Sequence, residues 1–181
     1  MTSDEQILEQ TNHWLQSFII KLNICPFAKR EIEKNTLKTQ ICSAKKIQEA
    51  LEELLIELIF LDKNTSVETT LLIFPSLFKD FLSYLDFVDY AERLIQQEGY
   101  EGLYQIATFH PDYCFEGEKF DDPANYTNRS PYPMLHLLRE ASVEKAIAYY
   151  GDTEAIPKRN VATLRELGVK KIKELNSLKN E

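Results

Sequence analysis

"ETTLLIFP", residues 68–75, decides the fold of this chain. Two β-branched threonines lead into the apolar run Leu71–Phe74, and Pro75 ends it. A short apolar run closed by proline reads as a strand buried on both faces. The neighbouring segments agree. Upstream, "TLKTQICS" at 36–43 alternates and is rich in β-branched residues, so it reads as a second strand. Between the two, "AKKIQEALEELLIELIFLD" repeats apolar residues at Ile47, Leu51, Leu54, Leu55 and Leu58, a helical spacing. Downstream, Leu77 to Gln97 suits another helix, "EGYEG" breaks it, and "LYQIATF" at 103–109 reads as a third strand.

The order β-α-β-α-β predicts an α/β fold around a parallel sheet of about three strands with right-handed crossovers. An α+β arrangement with one strand reversed stays open, because local pattern does not encode strand direction. Helices at both ends are expected to cover the sheet, in one domain spanning residues 1–181. Ser3 and Gln6 form a capping box for a first helix carrying Ile7, Thr11, Trp14, Leu15, Phe18 and Leu22, ending near Asn23. Pro26 and Pro133 are each expected to open a helix, the second running to about Tyr150. "GDTEAIPKR" reads as a loop, with Asn160 capping a final helix.

The bulk numbers narrow the class. The chain has 181 residues, 44% hydrophobic and 28% charged, a globular balance. With 29 acids against 21 bases its net charge is −8, so general nucleic-acid binding is not expected. No apolar run is long enough to cross a membrane, and the acidic N-terminus is no secretory signal. Three widely spaced cysteines, Cys25, Cys42 and Cys114, with no CxxC pair, point to a reduced, cytoplasmic protein. Cys42, inside a predicted strand, is expected in the core.

Three segments have the residues for chemistry. In "NICPFAKR", Cys25 precedes Pro26; as the cap of a helix beginning there, beside Lys29 and Arg30, its thiol is expected to have a lowered pKa. The plainer alternative is a half-buried cysteine in a tight turn. In "TFHPDYCFEGEKFDD", His110 ends a strand and Pro111 holds it extended, a suitable place for an acid or base that Asp112 would orient. The alternative is a loop anchor. The acids of this segment fail the calcium-loop pattern, since Cys114 and Pro123 stand where ligands are required. His110, Cys114 and Cys25, or His136, match no common zinc spacing, so no metal ligand is assigned. The third segment is "YTNRSPYPMLHLLRE", residues 126–140. Arg129 offers a fork for phosphate or carboxylate next to a predicted helix N-terminus, supported by Asn128; His136 and Arg139 would share a face of that helix. The alternative is a structural clamp with Tyr126, Tyr132 and Met134 in the core.

"CPFAK" at 25–29, "FHPDY" at 109–113 and "NYTNRSPYPMLHLLRE" at 125–140 resemble an uncharacterised family of bacterial and plant-plastid proteins, a domain of unknown function. The resemblance runs from about Leu22 to Ile147. It implies no activity, cofactor or site residue. The residues themselves suggest a small enzyme acting on an anionic metabolite, with Cys25, His110 and His136 as catalytic candidates and Asn128, Arg129 and Arg139 as anion ligands. The alternatives are a non-catalytic binding module for a ligand or protein, and a small metal-binding protein. Arg129 and the first turn of the helix at Pro133 are expected to lie beside His110, with Asn128 or His136 lining one shared pocket.

Overall fold

Four strands form one sheet in the order β1-β2-β4-β3: β1 (Leu37–Ile41), β2 (Thr69–Ile73), β3 (Tyr104–Phe109) and β4 (Met134–Arg139). The computed structural model describes residues 2–178. β1 and β2 are parallel, and β4 runs antiparallel to both β2 and β3. The expected three parallel strands over 36–109 are therefore present, but β2 and β3 do not touch. The fourth strand lies between them.

That strand corrects the sequence reading. No helix begins at Pro133; residues 134–139 are extended, and the helix α5 (Glu140–Tyr150) follows. Leucine and methionine favour helices as isolated residues, which is what misleads. The slot between β2 and β3 overrides that preference, because it offers a ladder of hydrogen bonds on both sides. Pro133 still contributes, with its carbonyl accepting from Phe74 N–H at 2.9 Å, one step beyond the β2 ladder. The strand lacks an apolar/polar alternation because both of its faces are covered.

Two helices pack on one face. α3 (Ile47–Lys63) and α4 (Phe81–Gln97) bury Leu54, Leu58, Tyr84 and Phe87 against Leu72, Leu135 and Leu137. α4 starts at Phe81 rather than Leu77, capped by Asp80, whose carboxylate accepts from Ser83 N–H at 2.8 Å. On the other face lie α1 (Asp4–Trp14), capped by Ser3 and Gln6 as expected, a π-helical stretch Leu15–Ile20, α2 (Ala28–Glu33) and α6 (Ala155–Asn176). Their core joins Trp14, Phe18, Leu164 and Ile172 to Leu71, Ile73 and Met134.

Two helix starts differ from expectation. α2 begins at Ala28 rather than at Pro26, and Phe27 occupies its cap position. α6 begins five residues before Asn160, so "AIPKR" is helical. Pro157 fits there because the N–H groups of a first turn have no partner within the helix. Asn160 is buried and donates from Nδ2 to Ile24 O at 2.7 Å. Gly168, at φ 73°, bends α6, and its last two turns place Ile172 in the core. Among the described residues no helix is long and apolar enough to cross a membrane.

Candidate functional site

The carboxyl end of β3 is tied down by His110. The side chain is fully buried, and both ring nitrogens have partners: Asp112 N–H donates to Nδ1 at 3.0 Å, and Nε2–H donates to Phe78 O at 2.8 Å. Asp112 therefore orients the ring through its main chain. The rings of Phe81 and Tyr84 pack beside it. Burial pushes the His110 pKa down, outweighing the Phe78 carbonyl and the charges of Asp112 and Asp80. A neutral imidazole spent on two main-chain partners is the loop anchor of the plainer reading. Phe78, at φ 57°, takes a left-handed backbone that a bulky residue adopts only when its surroundings impose it.

Asn128 continues this anchoring. Its carbonyl accepts from His110 N–H at 3.1 Å, and its Nδ2 donates to Thr108 O at 3.0 Å. The expected neighbourhood of His110 and Asn128 is thus present. Arg129 follows directly and closes the polar loop back on itself. Nε donates to Tyr113 O at 3.0 Å and Nη2 to Phe120 O at 2.6 Å. The guanidinium lies 4.6 Å from the Phe120 ring centre and 4.8 Å from that of Tyr126. The loop beneath it is more ordered than a solvated tract: a 3-10 turn, Pro123–Thr127, buries Ala124, Asn125 and Tyr126.

A cleft of about 360 Å³ opens beside Arg129. Gln10 and Trp14 from α1, Pro111 after β3, Tyr126, Ser130 and Pro131 before β4, and Asn176 to Leu178 after the bend of α6 complete its walls. Trp14 stacks edge-to-face on Phe109 at 5.5 Å, which sets the cleft at the carboxyl end of β3. This is the rim where the sheet topology places ligands. His110, Asn128 and His136 do not line it. No local pattern marked Gln10 or Asn176, and Trp14 read only as core.

Two other candidates lie elsewhere. His136 and Arg139 project to opposite faces of β4, since three positions along a strand reverse the side. His136 stands across from Leu71 and Ala107, with Nε2 donating to Thr69 Oγ1 at 2.5 Å while Thr69 donates to Leu137 O at 2.6 Å. Burial pulls its pKa down to about 4, so the ring is neutral near pH 7. Arg139 sits at the far end of the strand. It donates to the carbonyls of Leu61, Asn64 and Val67 and, at 2.9 Å, to Tyr104 Oη. Leu61 and Asn64 end α3, so Arg139 is a cation on a helix C-terminus.

Cys25 is half-buried and packs against the α1/α6 core, on the face of the sheet opposite to the rings that hold His110. Burial pushes its thiol pKa up, despite N–H groups of Phe27 and Ala28 that favour the thiolate. The expected lowered pKa is therefore reversed. Its basis, a helix cap at Cys25, is lost because α2 starts three residues later, and Lys29 and Arg30 pair with Glu33 and Glu31. Cys42 is buried in the α3/α4 core as expected. Cys114 donates weakly to Glu118 O at 3.5 Å. Among the described residues no three His, Cys, Asp or Glu side chains stand close enough to share a metal ion.

The family model described as "Protein of unknown function (DUF1415)" matches residues 6–174. The chain belongs to this family. The match takes in every strand, all of the anchoring loop and nearly all of α6. No curated protein and no solved structure matches the chain.

Proposed function

We propose that this chain binds a small anionic metabolite in the cleft beside Arg129. The reading rests on one observation. Arg129 is a buried cation, 9% exposed, with no carboxylate in ion-pair reach among the described residues. Buried charges are ordinarily paired, because desolvating an ion costs several kcal/mol that carbonyls and ring faces only partly return. Among the described residues its Nη1 has no hydrogen-bond partner and no acidic side chain lines the cleft. A ligand carboxylate or phosphate supplies the missing charge by a charge-assisted bond. Cys25, His110 and His136 lie off the cleft, so none is assigned a catalytic step.

Thermal unfolding of the full chain tests the proposal, with phosphate, malate or succinate added against chloride at matched ionic strength. A ligand that binds only the folded state raises its stability by about 2.7 kcal/mol at a hundred times Kd. The expected result is a concentration-dependent rise in Tm that Arg129→Ala abolishes. No shift with any of the three anions would overturn the proposal.

A further inference from the structure

Gly168 divides α6 into two parts that are held very differently. Before it, Asn160 Nδ2 donates to Ile24 O at 2.7 Å, Arg165 pairs with Glu118 and Asp122 at 3.0 Å, and Leu164 is buried. After it, over residues 169–178, only Ile172 is buried. Among the described residues this second part makes one hydrogen bond to the chain beyond α6, from His13 Nε2 to Leu175 O at 3.0 Å. Its end, Asn176, Ser177 and Leu178, forms a wall of the cleft beside Arg129. We infer that residues 169–178 are a flap on that cleft, hinged at Gly168 and latched by His13.

The hinge is in the backbone. Gly168 lies at φ 73° and ψ 157°, a conformation open to glycine and to almost nothing else. A Cβ built there would meet no atom within 4 Å, so glycine is needed for its torsion and not for space. The closed position also has a cost. The flap's own Asn176 Oδ1 and the indole N–H of Trp14, which lines the same cleft, are buried without partners among the described residues. Such atoms forfeit the hydrogen bonds that water would give them. Swinging the flap outward offers both to water but uncovers Ile172. These opposed terms suit a segment that opens while the rest of the fold stays intact. An open flap gives an anion a way to Arg129, and a closed one shuts water out behind it. That use, unlike the flap itself, rests on the anion reading above.

Hydrogen exchange of the full chain, with no anion added, tests the flap apart from the anion reading, which the Tm shift decides. Trp14 is the only tryptophan, so its indole N–H gives a single signal. The amides of residues 170–176 are expected to share one protection factor, about tenfold or more below that of residues 160–167. Gly168→Ala strains the bend without a clash, and His13→Ala removes the latch. Each should speed exchange of the flap amides and of the indole N–H together, by about tenfold, and leave residues 160–167 unchanged. Protection that falls smoothly toward the C-terminus is fraying and overturns the hinge, as does equal protection on both sides of Gly168. An indole N–H that opens only with the whole fold overturns the flap as a wall of the cleft. Exchange unchanged in both variants removes hinge and latch alike.

Discussion

Arg129 and Arg139 bracket β4 and are built alike, yet one is closed and the other open. Each guanidinium is held by main-chain carbonyls and lies over an aromatic ring, Phe120 and Tyr126 for Arg129, Tyr104 for Arg139. Arg139 spends all three of its nitrogens, and it has indirect counter-charge: its partner Tyr104 Oη donates to Asp62 at 3.2 Å, and the C-terminus of α3 faces it. Arg129 spends two nitrogens, has no carboxylate in ion-pair reach among the described residues, and borders a cleft. The difference teaches that an arginine held by carbonyls is not thereby structural. The balance of its charge and the count of its unspent donors decide what it is for.

The hardest test of the comparison is Arg139→Ala. It strands several carbonyls at the end of α3 and is expected to cost about 3 kcal/mol or more, measured by urea unfolding, with any anion response unchanged. A loss below 1 kcal/mol would remove the contrast. Arg129→Ala is expected to cost about 1.5–3 kcal/mol through its two carbonyl bonds and also to erase the anion-dependent rise in Tm. A variant that loses stability but keeps the full anion response would make Arg129 as closed as Arg139.

The strand between them carries its own signal. The pKa of His136 falls from the ordinary 6.5 to about 4 on folding. The unfolded chain then takes up a proton as pH drops below 6.5 while the folded chain does not, so stability is full above 6.5 and is lost progressively down to about 4. The loss is on the order of 2 kcal/mol, allowing for the ring's partial exposure. His136→Gln should flatten that part of the curve of Tm against pH. An unchanged curve would mean that His136 does not titrate as its burial requires. The smallest effect concerns Cys25, remote from both arginines. Iodoacetamide near neutral pH should modify it more slowly than a free cysteine, with the rate rising only at pH above the free value of about 8.5. Fast alkylation at pH 7 would restore it as a reactive thiol.

How much of this was legible depended on where the information lay. β1, β2, β3 and the helices between them were readable because each carries its own periodicity, and β2, α4 and β3 also end near a proline or glycine, Pro75, Gly99 and Pro111. β4 was not, because "MLHLLR" has no alternation and leans toward helix by propensity; its neighbours in space make it a strand. Cys25 was misread for a related reason: a two-residue error in a helix start reverses the sign of a pKa shift. His110 stands at the sheet's rim, directly after β3, as its place before Pro111 suggested. The partners of His110 and Arg129, the carbonyls of Phe78, Tyr113 and Phe120, are main-chain groups that no side-chain pattern reveals. The cleft joins α1 to the end of α6, more than 160 residues apart, as the His13–Leu175 bond marks.

The strand order has a consequence for how the chain reaches this state. β4 is the last strand to be made and one of the two innermost. Until residues 134–139 arrive, β2 and β3 each present an unsatisfied edge across an empty slot, and the sheet exists only as the β1/β2 pair. Closure must draw together segments about 65 positions apart, the sort of distant pairing that slows folding. A nascent chain halted before Pro133 would therefore expose two sticky edges at once, which makes "PMLHLLR" the segment that ends the vulnerable phase of this protein's synthesis.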